Sequence, residues 1–344
     1  MSNENELTIA DVAREAGVSV STVSRILNGK QDVAESTRVR VLRVIEELGY
    51  TPHAQAQRLR AGKTRALALV YQLPTHGKTL ANQLELDFIM GAGETASRNN
   101  YFFSFITSDI SRQELLNLYR SSQVDGLVLM QICLHDWRVE LLRENNLPFT
   151  MIGHCEDNRG LSFIDIDFES TIEAAFDHLI QQGHRRIGLL TFDPTLAGEG
   201  YGPSVRCELG YQRVLRKHGI ERIYREASFL VSDVYRATLD LLDSAPDISA
   251  IVTLHDVSTV GVLRAAAERG RGVPEDLSVL ALIPERLSDL TTPPLTGIDF
   301  PSFMMGQRAT EMLLRLLNDP NSQSEQMLVP PRLFVRDSVR AFGT

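Results

Sequence analysis

The chain has 344 residues, 43% of them hydrophobic and 23% charged, with 23 Gly and 14 Pro. That composition suits two or three globular domains and excludes collagen-like, disordered and disulfide-scaffold classes. The net charge of −9 argues against a nucleic-acid binder, but it is unevenly distributed. Residues 7–65 hold ten basic and six acidic side chains, a balance of +4, which leaves −13 on the remainder. A basic module on an acidic body points to a polyanionic partner.

The polar N-terminal stretch has no charged-then-apolar leader pattern. No apolar run approaches the roughly 20 residues of a membrane span. Cys133, Cys155 and Cys207 are widely spaced. The expectation is a reducing, cytoplasmic setting without disulfides and without membrane contact.

Thr8 and Asp11 have capping-box spacing, and Ile9, Val12, Ala13 and Ala16 follow on one helical face. Gly17 supplies a left-handed stop. Ser19 can cap a second helix, Val20 to Leu27, with Val23, Ile26 and Leu27 facing inward. A third helix from about Glu35 to Leu48 presents Val41, Val44, Ile45 and Leu48 before Gly49. Two short helices on a tight turn predict a helix-turn-helix, though such patterns also occur in bundles that merely pack. The outer face of the second helix carries Val20, Ser21, Thr22, Ser24, Arg25 and Asn28. Short side chains let a helix sit deep in the major groove, and an Arg can bond guanine bidentately. Hydroxyls and amides suit phosphate oxygens.

Pro52 to Gly62 predicts a short helix with little apolar surface, of a length that is marginal in water unless a partner orders it. From Arg65 onward, apolar strands alternate with helices. The strands are Ala66–Tyr71, Tyr101–Thr107, Val124–Met130, Phe149–Ile152, Phe163–Asp167, Arg186–Phe192, Ala250–Leu254 and Ser278–Ile283, with a last one at Arg332–Ser338. That alternation predicts an α/β body of two doubly wound parallel sheets, with a ligand cleft at the carboxyl ends of the strands.

The segments "TIADVAREAGVSVSTVSRILNGK" and "TRVRVLRVIEELGYTPHAQAQRLRAGKT" resemble the headpiece of the LacI/GalR (lactose-repressor) regulators. "VDGLVLM", "GHRRIGLL", "VPEDLSVLAL" and "TTPPLTGIDFP" resemble landmarks of that family's periplasmic-binding-protein-like body. The resemblance implies a headpiece over 1–50, a hinge over 51–64 and an effector-binding, dimerising domain over 65–344. Within the last, it implies one subdomain at about 65–164 and 291–321 and the other at about 165–290 and 322–344, with crossings near Asp165, Leu290 and Asn321. It implies a homodimer, tetramers not being excluded, on a palindromic double-stranded DNA operator. Val20 and Ser21 would read sequence, Arg25 would contact base or phosphate, and Thr8, Ser19, Thr22, Ser24, Asn28 and Tyr50 would anchor the backbone. Leu59 matches a minor-groove wedge, and Ala56 a point of close approach between paired hinges.

Five positions depart from the family pattern. Ala34 replaces the usual capping Ser of the third helix, and His53 replaces a hinge Asn, which would make that contact pH-sensitive. Cys207 stands where an effector-binding Arg is common, leaving Arg206 one residue earlier as the candidate. His255 and Asp256 replace an Asn-Asp pair. Ala281 to Pro284 replaces a segment whose carboxylate often holds sugar hydroxyls. The resemblance therefore implies a small-molecule effector, carbohydrate or a derivative, held by Arg206, His255 and Asp256.

Gly198 to Gly202 lacks the spacing of a phosphate loop and reads instead as a mobile loop at the cleft mouth. Asp165 and Asp167 share a strand face without the partners that acid–base or metal chemistry needs, and no zinc pattern is present. No cofactor, metal or enzymatic role is expected. A solute-binding protein or a doubly wound enzyme would leave residues 1–64 unexplained.

Overall fold

A computed structural model describes residues 7–27, 32–50, 64–72 and 83–342. The chain separates into two compact units, Met1–Thr64 and Arg65–Thr344.

In the first unit, three helices span Ile9–Glu15, Val20–Leu27 and Glu35–Leu48. Val12, Val23 and Val41 are fully buried where the three meet, with Ala13, Ala16, Ile26, Val44 and Tyr50 around them. The turn between the first two helices uses Gly17 at φ +63°, and Gly49 ends the third at φ +64°. Both are backbone states that a Cβ disfavours. Ala34 occupies the N-cap of the third helix and makes no side-chain cap bond. Asp32 does not substitute for it, since its carboxylate pairs with Arg25 at 3.4 Å. Ala34→Ser should therefore stabilise the helix start by about 1 kcal/mol. Amide exchange at the first turn of that helix in the full chain should slow by roughly fivefold. Unchanged exchange would show that the cap is already satisfied.

The second unit contains two six-stranded sheets. The strands, in chain order, are β1 (Ala66–Val70), β2 (Phe102–Ile106), β3 (Gly126–Leu129), β4 (Phe149–Ile152), β5 (Phe163–Ile166), β6 (Ile187–Phe192), β7 (Tyr224–Ala227), β8 (Ala250–Thr253), β9 (Ser278–Ile283), β10 (Thr296–Asp299), β11 (Gln326–Val329) and β12 (Leu333–Phe334). The first sheet runs β11-β5-β4-β3-β1-β2 and the second β12-β10-β9-β8-β6-β7. All pairings are parallel except β10 with β12. The central strands are buried on both faces. That explains why their sequences are unbroken apolar runs rather than alternating ones.

The topology moves two of the three crossings. The first follows β5, where the chain leaves the first sheet for the second. The expected crossing near Leu290 is corrected, because β10 pairs with β9 (Thr296 against Leu280) and keeps the chain in the second sheet through Asp299. The expected crossing near Asn321 is corrected for the same kind of reason: β11 pairs with β5 (Gln326 against Phe163). The chain returns to the second sheet only after Val329. The strand expected over Arg332–Ser338 shrinks to Leu333–Phe334.

The helices Gln83–Arg98 and Ser302–Asn318 cover the first sheet and meet at two glycines. A Cβ on Gly91 would lie 2.1 Å from the Phe303 carbonyl oxygen, and one on Gly306 would lie 2.2 Å from that of Phe88. Only hydrogen at these positions lets the two backbones approach so closely.

Candidate functional site

The outer face of the second helix is polar. Ser21 and Arg25 are exposed, while Val20, Thr22 and Ser24 are half-buried. Ser19 starts the helix, its hydroxyl accepting from the Thr22 N–H at 3.2 Å. That hydroxyl also lies 2.7 Å from Ser21 Oγ and 2.8 Å from Thr22 Oγ1. The three hydroxyls form one cluster in which Ser19 Oγ is saturated, while the Ser21 and Thr22 oxygens keep capacity for a further bond. Arg25 pairs with Asp32, and both side chains are more than half exposed. Such a pair is worth at most about 1 kcal/mol, so turning the guanidinium toward a base edge costs little.

Thr8 is exposed, and its hydroxyl donates to Asp11 Oδ2 at 2.6 Å. The hydrogen bonds from Thr8 hold the Asp11 carboxyl below its ordinary range. Val20 rests partly on the headpiece core. Tyr50, expected to anchor the DNA backbone, has its ring buried in that core, at 8% exposure. Asn28, His53, Ala56 and Leu59 lie outside the described residues.

The second unit has a cavity of about 80 Å³ between its two sheets. Its walls are built from strand ends. From the first sheet come Gln131 after β3, Gly153 after β4 and Asp165 in β5; from the second come Phe192, Asp256 and Leu282. Because every central strand is parallel within its sheet, these carboxyl ends lie along one edge, and the two edges face each other. The helix Gln83–Arg98 adds Glu85 and Phe88, and Tyr201 completes the lining.

Besides Arg206, described below, two sets of contacts hold the subdomains together. On one side, residues 132–134 and 200–202 form an antiparallel bridge: Gly202 N–H donates to the Ile132 carbonyl at 3.0 Å and Leu134 N–H to that of Gly200 at 2.8 Å. On the other side, Arg286 pairs with Asp87, which is 5% exposed and also accepts from Ser302 Oγ at 3.0 Å.

Of the three expected effector residues, only Asp256 lines the cavity. Arg206 is buried, and its Nη2 donates to the carbonyl oxygens of His154 (2.8 Å) and Cys155 (3.3 Å). It ties the two subdomains together behind Gly202 instead of facing the ligand space. Burial lowers its pKa. His255 is fully buried, and its Nε2 lies 3.0 Å from the Ala227 carbonyl. Burial pushes its pKa down to about 4, so the neutral ring donates from Nε2 to that carbonyl, while its Nδ1 has no hydrogen-bond partner among the described residues.

Sequence reasoning missed Glu85 and Gln131, placed Tyr201 only as part of a loop at the cleft mouth, and assigned Asp165 only a crossing role. The rule that ligands meet strand carboxyl ends could have found Gln131 and Asp165. Asp165 Oδ2 lies 2.8 Å from His154 Nδ1, and its Oδ1 accepts from Ile166 N–H at 2.8 Å. Tyr71 donates its hydroxyl to Glu85.

Beneath Gln131 is a buried clamp. The Arg138 guanidinium, 4% exposed, meets the Asp136 carboxylate through Nε (2.9 Å) and Nη2 (2.6 Å). It also donates to the carbonyls of Met130 and Gln131, both at 3.0 Å. Gln131 is held at φ +57°, a left-handed state that needs such support in a residue other than Gly.

Comparison with known proteins agrees with both halves. Residues 8–53 match the family model described as "Bacterial regulatory proteins, lacI family". Residues 176–339 match a "Periplasmic binding protein-like domain". The catabolite control protein A of Priestia megaterium is 30% identical, with 97% of this chain and 99% of that protein aligned. A solved complex of the transcriptional regulator CelR with cellobiose is 28% identical, TM-score 0.70, over 96% of this chain and 99% of that one. The lac repressor dimer bound to operator and the anti-inducer ONPF shares the fold at TM-score 0.85 and 24% identity, over 98% and 100% of the two chains.

Proposed function

The chain belongs to the lacI family of bacterial regulatory proteins, and from that membership we propose that it is a dimeric repressor. It reads an inverted-repeat operator with its second helix and responds to a small solute held between the two sheets of its body. The observation that carries this reading is the pairing, in one chain, of an exposed polar recognition helix with a cavity built from strand carboxyl ends. The relatives named above are transcription regulators, which favours a regulator over an enzyme. Among the described residues no helix is long and apolar enough to cross a membrane.

Self-association has surface available. Leu230, Val231 and Val260 are at least 40% exposed on neighbouring elements, as are Leu86 and Met90 on the helix Gln83–Arg98. A second copy would cover such apolar side chains. A ligand acts only through its different affinity for two states of the protein. The contacts that close the cleft, Arg286 with Asp87 and the 132–134/200–202 bridge, define the state that a solute touching both walls favours.

Gel-shift titration on an inverted-repeat duplex tests the reading. Full-length protein should bind, with affinity falling steeply as salt rises, and a fragment beginning at Arg65 should not. Arg25→Ala should cost about 1–3 kcal/mol on the specific duplex. Leu59→Ala should weaken specific binding far more than non-specific binding. Equal loss on both duplexes would remove the wedge role from Leu59, and binding by the Arg65 fragment would refute the reading.

A further inference from the structure

A second cavity, of about 470 Å³, lies at the amino ends of β4, β5 and β11, the opposite end of the first sheet from the cleft. Its volume falls within the roughly 300–1,000 Å³ of small-molecule sites. Phe149, Ser162 and Glu325 stand where those strands begin, and the ends of the helices Trp137–Glu144 and Ser302–Asn318 form the walls. One side is apolar, with Leu142, Phe149, Leu161 and Met312 all buried.

The other side carries charge. Arg143, Arg315 and Glu325 are the charged lining residues, two cations and one anion. Arg315 pairs with Glu325. Arg143 has no carboxylate of its own. Its Nη1 reaches Asp157 Oδ2 at 3.3 Å, but Arg159 grips that carboxylate through Nε and Nη2, both at 3.0 Å. The hydrogen bonds from Arg159 hold Asp157 well below the usual carboxylate range. Nη2 of Arg143 donates only to the carbonyls of Asp157 (3.0 Å) and Arg159 (3.4 Å). Its Nε is buried and has no partner among the described residues, a costly state for a donor. The last carbonyls of its own helix do not claim it, since the N–H groups of Asn146 (3.1 Å) and Leu147 (3.0 Å) cap them. Outside the described residues the only acidic side chains are Glu4 and Glu6. The wall therefore carries one positive charge in excess, beside an apolar face.

We infer that this cavity binds an amphipathic monoanion, a carboxylate on an apolar body. The carboxylate meets Arg143, where a charge-assisted hydrogen bond supplies the missing acceptor. The body lies against Leu142, Phe149, Leu161 and Met312. A single excess charge matches a carboxylate better than a dianion, and the apolar face disfavours a free inorganic ion or a polyol. The site is separate from the cleft and does not depend on the effector reading above.

Calorimetric titration of full-length protein tests this with hexanoate and 4-phenylbutyrate. The uncharged hexanamide and 4-phenylbutanamide and the cation hexylammonium are the controls. At least one carboxylate should bind at least tenfold more tightly than its amide and than hexylammonium. Arg143→Gln should weaken that binding at least tenfold. So should Ser324→Trp, which fills the cavity from an exposed lining position and leaves its charges in place. Circular dichroism checks that both variants fold. Met312 lines this cavity and Met305 the cleft, so methionine-methyl NMR of the parent protein separates the two sites. The Met312 methyl should shift on titration and the Met305 methyl should not. Binding of neither carboxylate, equal binding of its amide, tighter binding of hexylammonium, unchanged affinity in either folded variant, or a shift at Met305 alone would each overturn the assignment.

Discussion

Asp136→Ala should destabilise the body by about 3–5 kcal/mol, because it leaves the buried Arg138 guanidinium without its counter-charge. The same carboxylate also accepts from the backbone N–H groups of Arg138 (2.9 Å) and Cys133 (3.3 Å), so with Arg138 Nε and Nη2 four donors lose their acceptor together. Burial tends to raise the Asp136 pKa. The hydrogen bonds and charge of Arg138 outweigh that and leave it below the ordinary aspartate value. A depressed carboxyl stabilises the fold fully above its unfolded pKa, and the contribution drains as pH falls through the lower folded value. The penalty of Asp136→Ala should therefore be full near neutrality and shrink in strong acid. Denaturant titration of the variant and of Asp136→Ala/Arg138→Met checks the cause. The double variant should recover part of the loss, since it removes the stranded charge. A single variant within 1 kcal/mol of the parent would show that the clamp contributes nothing. Because the clamp holds the Met130 and Gln131 carbonyls, the single variant should also weaken ligand binding.

Gly91→Ala should cost about 3 kcal/mol despite the better helix propensity of Ala. The added methyl would meet the Phe303 carbonyl oxygen at 2.1 Å, and backbone cannot rotate out of the way as a side chain can. The helices Gln83–Arg98 and Ser302–Asn318 would have to separate, and with them Phe88 and Met305, which line the cavity. Gly93→Ala on the same helix is the control. Its methyl would meet the Phe103 ring at 3.3 Å, a contact that a small side-chain shift relieves, so its effect should stay within about 1 kcal/mol. Equal destabilisation by both, measured by denaturant midpoint, would mean that helix–helix proximity is not what Gly91 provides.

The buried central strands were legible in the sequence because burial on both faces writes itself as apolar runs: Ile187–Phe192, Ala250–Thr253 and Ser278–Ile283 are found within a residue of where the sequence places them. The strands that escaped notice lie outside that regime. β7 (YREA) and β11 (QMLV) are sheet edges, short and partly exposed, and β10 (TGID) is four residues long between proline-rich turns. Missing β10 and β11 displaced both later crossings by about ten residues. In the cleft, Arg206 and His255 were assigned by position relative to a family pattern. Their roles are set by what surrounds them: Arg206 faces carbonyls across the subdomain boundary, and His255 is sealed beneath Phe192 and Phe229. Glu85 reaches the cavity from a helix distant in sequence from the other two carboxylates. No local spacing could announce that meeting, which depends on the tight Gly91 and Gly306 contact.

The central claim is that a symmetric pair of chains reads a symmetric duplex. Selection from a random-sequence duplex pool by full-length protein at moderate salt measures this directly. The account predicts enrichment of an inverted repeat whose half-site spacing fits two recognition helices on one face of the DNA. Its preference over unselected duplex should be lost with Arg25→Ala. Recovery of no common sequence, or of one lacking two-fold symmetry, would contradict it.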